Sequence, residues 1–267
     1  MKSRLFSALV LGCAMLAAPL ANAHTPYLVP VSFEPAYKDW VSLDAGFAEA
    51  FFYPDVPFTN GNFQVLTPAG EWKKPSRYEE FTTRTILEYQ LTDKGTYRFT
   101  TGSRLGDVFR SYELNEERKA TRDPKDVLPE GAKLLDHYQS VTVAETYVTK
   151  DKPTTAALKP YNKGLEIVAV KHPNDLVAGD KFQLRVLFDG KPLAAKEINL
   201  YTAQDGNDHE KPTATATTNA QGDAEFTVAN KGIYLLHVRH TAPAPKDAKA
   251  PNYGYIYTLT FGVNPPL

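Results

Sequence analysis

The chain has 267 residues, of which 30 are Lys or Arg and 31 are Asp or Glu, so its formal net charge is −1. A charge this close to zero indicates no basic surface of the kind that binds nucleic acid, and we predict no nucleic-acid partner. The single Cys excludes a disulfide framework within the chain. The 15 Tyr and 14 Phe, broken up by 20 Pro and 16 Gly, are typical of many short strands, so we predict an all-β protein.

The first 23 residues have the pattern of a cleaved secretory signal peptide. Two basic residues precede an apolar run at 5–20, and Ala-Asn-Ala at 21–23 is the small-x-small sequence that signal peptidase recognises. An uncleaved anchor is one alternative, although the run is short for a membrane span. A lipoprotein modified at Cys13 is the other. Cleavage after residue 23 predicts a periplasmic protein that does not span the membrane and that begins with His24.

An amino-terminal histidine is a potential metal chelator. The free α-amine and Nδ1 of His24 can close a ring on one divalent metal, and imidazole suits zinc, copper, nickel or iron. Removal of residues 1–23 also removes the only Cys, so any site must use nitrogen and oxygen donors. We predict His24 as a metal ligand, with Asp44 or Glu49 as an added carboxylate. The alternative is a frayed and solvated terminus.

Residues 24–155 are predicted to form an amino-terminal β domain. Alternating apolar and polar residues, separated by Pro and Gly turns, predict seven strands. These lie at 27–33, 40–47, 63–66, 85–91, 96–101, 108–114 and 134–149. The stretch 115–131 is charged and broken by proline, which indicates a solvated surface insertion or, alternatively, a docking loop for a partner.

Residues 151–161 have the composition of a linker, and residues 164–267 match the size of one immunoglobulin-like sandwich. Seven strands are predicted in this second domain, the number such a sandwich requires. They lie at 165–170, 181–188, 195–201, 213–217, 224–228, 233–240 and 255–261. The sequence therefore predicts two β-sandwich-like domains, of which the carboxy-terminal one is immunoglobulin-like.

Several of these segments together resemble a known periplasmic bacterial family. They are residues 40–45, 164–167, 174–180, 186–193, 218–222, 232–240 and 258–261. The family is often described as the periplasmic component of NikM-type nickel or cobalt uptake complexes. The resemblance implies a soluble periplasmic accessory protein of transition-metal uptake. Its expected partner is a membrane transport component or outer-membrane receptor, and its expected metal is nickel or cobalt, with copper, iron or zinc as alternatives.

Two further histidines are candidate ligands beside His24. His240 ends a predicted strand and shares a face with Tyr234, so its side chain could emerge at the rim; the alternative is a hydrogen-bonded rim residue. His137 lies at the start of a long predicted strand and is the third candidate ligand. The alternative interpretation is a surface residue that binds no metal. His237 points to the face opposite His240, so a regular strand does not let both bind one metal.

Motifs of nucleophilic, phosphate-binding and zinc-protease enzymes are absent from the sequence, and we predict that the protein is not an enzyme. Two other functions stay open. An amino-terminal His with a second His forms the copper site of secreted oxidative polysaccharide enzymes, and a β protein without metal could bind a carbohydrate or a partner through its loops.

Overall fold

The computed structural model describes residues 24–123, 125–203 and 211–266. The predicted signal peptide lies outside these residues, and so do residues 204–210, which include His209. Strands dominate the described ranges, where the remaining regular structure is three short 3₁₀ helices at Tyr37–Asp39, Ala156–Leu158 and Pro173–Asp175. No helix in the same ranges is long and apolar enough to cross a membrane. The predicted all-β class is confirmed.

In the described part of the chain, eleven strands precede residue 151. They are β1 (Thr25–Pro30), β2 (Trp40–Ala48), β3 (Val56–Pro57), β4 (Gln64–Leu66), β5 (Trp72–Lys73), β6 (Arg77–Glu80), β7 (Thr85–Gln90), β8 (Gly95–Thr100), β9 (Arg104–Leu114), β10 (Glu117–Thr121) and β11 (Lys133–Lys150). All seven predicted strands of this part are present. Their alternation of apolar and polar residues reflects one face turned to a core.

Eight strands follow. They are β12 (Leu165–Ala169), β13 (Asp180–Phe188), β14 (Lys191–Pro192), β15 (Glu197–Thr202), β16 (Ala214–Thr217), β17 (Asp223–Val228), β18 (Gly232–Pro243) and β19 (Asn252–Val263). The seven predicted strands are again found, and the short β14 is added.

The strands form three sheets. The first has the order β1-β2-β7-β6, with β3 on β2. The second has ten strands along the path β16-β15-β18-β19-β11-β8-β4-β5, with β9 beside β11 and β10 beside β9. The third joins β12, β13 and β14, with β17 on β13. In the ten-stranded sheet β11 pairs in parallel with β19, from Tyr138↔Asn252 to Thr146↔Thr260. This one sheet therefore contains strands from both sides of the predicted boundary.

The ten-stranded sheet is the middle of three layers. On β11, Ala144 and Val148 enter a core shared with Leu43 of the first sheet. Tyr147 points the other way and joins a core with Phe182 of the third sheet. Neighbouring residues of a strand point to opposite faces, so one strand serves both cores. The two predicted sandwiches exist, the second being immunoglobulin-like, and they share this middle sheet.

The segment predicted as a linker is packed. Ala157 and Leu158 are buried, and the Tyr161 ring centre lies 4.6 Å from Cζ of Arg98 in β8. Small and apolar residues among the prolines give this predicted linker a buried side, so part of it packs against the rest of the protein.

The charged stretch 115–131 is only partly an irregular insertion. Its beginning forms a hairpin in which β10 pairs with β9. Asn115 and Glu116 make the turn with φ of 54° and 64°, the left-handed values that a two-residue hairpin turn needs. The side chains of β10 are mostly exposed, which explains why they do not alternate in polarity.

Candidate functional site

His24 lies beside the loop that leaves β2. β1 and β2 are antiparallel with Thr25 opposite Ala48, so the residue before β1 meets the residues after β2. Nδ1 of His24 is 3.1 Å from Oδ2 of Asp55, and Nε2 is 3.7 Å from Oε1 of Glu49. The side chain is 35% exposed. His24 thus contacts two carboxylates of this loop.

Backbone contacts hold the loop in this position. The Glu49 amide donates to Oδ2 of Asp55 at 2.8 Å, and the Asp55 amide donates to the Phe47 carbonyl at 2.9 Å. After Asp55 the chain returns as β3, with Val56 opposite Phe47. The Asp55 carboxylate therefore closes its own loop and faces the imidazole at the same time.

The donor atoms at His24 suit a divalent transition metal. Nδ1 is buried and forms no hydrogen bond. Oδ2 of Asp55 lies 3.1 Å from this nitrogen. An unprotonated Nδ1, the carboxylate of Asp55 and a free α-amine would be three donors on one side of the ring. Glu49 faces the other ring nitrogen and cannot bind the same metal, yet a carboxylate there orients a metal-binding imidazole.

The described residues contain no group of three or more His, Cys, Asp or Glu side chains arranged to hold a metal. The His24 site supplies two such side chains, His24 and Asp55. A metal there requires the backbone amine as its third donor, which makes the predicted cleavage before His24 essential to the site.

Asp44, predicted as a possible carboxylate of this site, is engaged elsewhere. It is opposite Val29, so it lies about 13 Å along β1 from Thr25. It accepts hydrogen bonds from the Tyr27 hydroxyl at 3.1 Å and from Arg84 at 3.0 Å. Burial raises the pKa of Asp44, against the charge of Arg84. Asp55 takes the place that the sequence suggested for Asp44.

His240 does not join His24, which corrects the prediction that it is a second ligand. The Thr258 hydroxyl donates to the Pro26 carbonyl at 2.9 Å, and Thr258 pairs with His237. β1 therefore covers the face of the sheet that carries His237. His240 is on the opposite face, with its ring 4.5 Å from that of Phe188. Burial, helped by the charge of Lys196, lowers the pKa of His240 and keeps it neutral.

His137 is also apart from both other candidates. It is opposite Arg110 on β9 and lines a groove of about 460 Å³ with Arg110, Arg122 and Lys249. Three cationic side chains and a single carboxylate, that of Asp107, line this groove. Such surroundings repel a divalent cation. The predicted role of His137 as a metal ligand is therefore not supported by its place in the fold.

The other described histidines have structural roles. Nε2 of His172 is 2.9 Å from the Thr96 hydroxyl, and its Nδ1 accepts from the Asn174 amide. His237 is buried, and its Nε2 accepts from Nε of Arg239 at 3.1 Å. Burial, followed by the charge of Arg239, lowers the pKa of His237 to about 3. Both rings are held as neutral hydrogen-bonding groups.

Sequence reasoning missed a buried ion pair in the ten-stranded sheet. Arg98 and Glu145 are each 1% exposed. Nε of Arg98 donates to Oε2 of Glu145 at 2.6 Å, and the Tyr257 hydroxyl donates to the same oxygen. Burial lowers the pKa of Arg98, but Glu145 and the neighbouring tyrosines together outweigh this effect and raise that pKa well above its usual range. The sequence signal for this ion pair was a charged residue inside each of two predicted strands, 96–101 and 134–149.

A family model described as a domain of unknown function, DUF4198, matches residues 21–242. The chain belongs to this family. The DUF4198 match includes His24, Asp55 and Glu145 and ends within β18. It confirms the resemblance to a family of unknown function, while the link to NikM-type complexes stays a prediction. No curated protein is significantly similar in sequence.

Several solved structures of multidomain β proteins are weakly similar. The D0-D1 domain of intimin has 12% identity and a TM-score of 0.22, with 88% of this chain and 96% of that chain covered. Murine CEACAM1b has 9% identity and a TM-score of 0.21, covering 90% and 100%. The chicken CNTN1 FN1-FN3 domains have 9% identity and a TM-score of 0.24, covering 90% and 98%. TM-scores this low establish neither a shared topology nor a shared function.

Proposed function

We propose that the processed chain binds one divalent transition metal at its amino terminus and acts as a periplasmic accessory protein of transition-metal uptake. The supporting observation is the buried Nδ1 of His24, which has no hydrogen bond and lies 3.1 Å from the Asp55 carboxylate. A buried acceptor without a partner costs free energy, and a metal bound to it would remove that cost. The family resemblance is a second, independent support.

The proposed site has the α-amine, Nδ1 of His24 and Asp55 as its protein donors. Nitrogen donors with one carboxylate suit nickel, cobalt, copper, iron or zinc, and the family resemblance favours nickel or cobalt. Three donors leave coordination positions open. A partner could use these positions to receive the metal, so we expect a membrane transport component or an outer-membrane receptor to dock near the 49–55 loop.

A single added residue tests the proposal. Protein that begins at His24 and protein with one Ala before His24 would be titrated calorimetrically with Ni²⁺, Co²⁺ and Cu²⁺. The added residue keeps the imidazole but removes the chelating amine, so affinity should fall on the order of 100-fold, the scale of losing a linked donor. Asp247→Asn, an exposed carboxylate in a distant loop, should leave affinity unchanged.

Equal affinities of the two proteins would place metal binding away from the amino terminus. A separate measurement, the metal content of protein isolated from the periplasm without a histidine tag, would identify the metal. Nickel or cobalt in a one-to-one ratio is the expected result, and metal-free protein would contradict the proposal.

A further inference from the structure

A groove of about 540 Å³ lies where the segment after β11 meets the ten-stranded sheet. Its floor is made by side chains on one face of β11, Val141, Val143 and Glu145, flanked by Thr100 of β8. Residues 161–165 and the β13–β14 turn form a wall. The volume is within the range of sites for small ligands. None of the three candidate histidines lines this groove.

One side-chain oxygen of Glu145, a residue that lines the groove, lacks a partner. Oε2 of Glu145 accepts from Arg98 and from the Tyr257 hydroxyl. Oε1 of the same carboxylate is buried and has no hydrogen bond. A buried acceptor normally has a partner, and leaving it without one is costly. Oε1 is therefore an unused hydrogen-bond acceptor on a residue that lines the groove, and a ligand hydroxyl group reaches it once the side chains that cover it move aside.

The charges around Glu145 favour a neutral donor. Arg98 is bonded to the same carboxylate and already neutralises it. A second cation at Oε1 would lie close to the Arg98 guanidinium inside the protein, where like charges repel strongly. Lys163 and Asp189 line the groove with opposite charges. A hydroxyl group satisfies Oε1 without adding charge.

Aromatic side chains also line the groove. Trp72, Tyr161, Tyr253 and Tyr255 line the groove together with the amide side chains of Asn62 and Gln64. Aromatic rings cover the apolar C–H faces of a sugar, while amides and carboxylates bind its hydroxyl groups. Trp72 is 42% exposed, so its ring is accessible to a ligand at the protein surface.

We propose that this groove binds a neutral saccharide, of which one hydroxyl group donates to Oε1 of Glu145 while the aromatic rings contact the sugar faces. The site is separate from the proposed metal site, since no residue is common to the two. Its ligand class is a short uncharged oligosaccharide. A cell-wall glycan or a free sugar would share that chemistry.

Fluorescence of Trp72 allows a direct test. The chain has two Trp residues, at 40 and 72, so Trp40→Phe leaves Trp72 as the reporter. Protein beginning at His24 would be titrated, with a metal chelator present, with neutral di- to tetrasaccharides of glucose, galactose and N-acetylglucosamine. We expect saturable binding of at least one member. Phenethylammonium, a cation with an aromatic body, should bind more weakly.

Substitutions then locate the binding. Tyr253→Ala removes one ring contact and should weaken binding about 3- to 10-fold, the fold-change equivalent of an aromatic contact. Glu145→Gln should weaken it at least as much, with its folded state checked by circular dichroism because Arg98 loses its counter-charge. Tyr37→Ala, an exposed tyrosine elsewhere, is the matched control and should change nothing.

Three results would overturn the proposal: no saccharide of the panel binding at millimolar concentration, tighter binding of phenethylammonium than of any saccharide, or saccharide binding that Tyr253→Ala leaves unchanged. The chelator separates this test from the metal proposal. Saccharide binding that fails in its presence, with nickel binding intact in the other experiment, would reject the groove alone.

Discussion

His24 and Glu145 both bring a carboxylate next to a nitrogen base, but in opposite surroundings. The imidazole of His24 is 35% exposed at a strand end and faces two carboxylates on a loop. Glu145 is 1% exposed in the middle of a sheet, and Arg98 already balances its charge. The first arrangement keeps negative charge available for an incoming cation. The second keeps only a hydrogen-bond acceptor, so we propose different ligands for the same functional groups.

Substitution of Arg98 is expected to have the largest effect on stability. Arg98→Met should lower the free energy of unfolding by about 3–5 kcal/mol, because it leaves Glu145 buried without a counter-charge. Chemical denaturation followed by circular dichroism measures the loss. Arg185→Met is the matched control, since its pair with Asp223 is solvent-exposed and should matter much less. Equal losses in the two variants would show that burial of the pair is unimportant.

The pH dependence of the free energy of unfolding tests whether His237 is buried as a neutral imidazole. The pKa of His237 is about 3 in the folded protein, against about 6.5 in an unfolded chain. Between these values the unfolded state binds a proton that the folded state does not, so stability falls as pH decreases. From pH 7 to pH 4 the native chain should lose roughly 3 kcal/mol more than His237→Gln. Parallel pH profiles of the two proteins would contradict a neutral buried imidazole.

The two carboxylates near His24 should differ in their effect on metal binding. Asp55→Asn removes a proposed ligand, while its remaining oxygen can still accept from the Glu49 amide. Nickel affinity should fall roughly 10- to 100-fold. Glu49→Gln affects only the orientation of the ring and should cost about tenfold or less. Calorimetric titration at constant pH compares them, and a larger loss for Glu49→Gln would reverse their assigned roles.

Local sequence patterns were sufficient to predict the strands. Alternating side chains and Gly or Pro turns act within a few residues, and all fourteen predicted strands are in the structure. The parallel contact of β11 with β19 was not predictable in the same way. Its register depends on the packing of distant segments, for which neither strand carries a local signal.

The candidate site was only partly visible in the sequence. His24 stood out because of the cleavage pattern, and Glu49 because it follows a strand in the same part of the chain. Asp55 was missed because its position depends on a loop closed by backbone hydrogen bonds. Glu145 was missed because a charged residue in a strand normally faces solvent, and only the tertiary fold brings Arg98 to it.

The parallel β11–β19 pairing also determines when the protein can fold. Tyr138 pairs with Asn252, a separation of 114 residues (252 minus 138). During synthesis, the edge of β11 stays without its neighbour until β18 and β19 have emerged. An unpaired edge is a template for pairing with other chains, and distant pairings form slowly. The newly made chain is therefore expected to need protection from aggregation until β19 is complete.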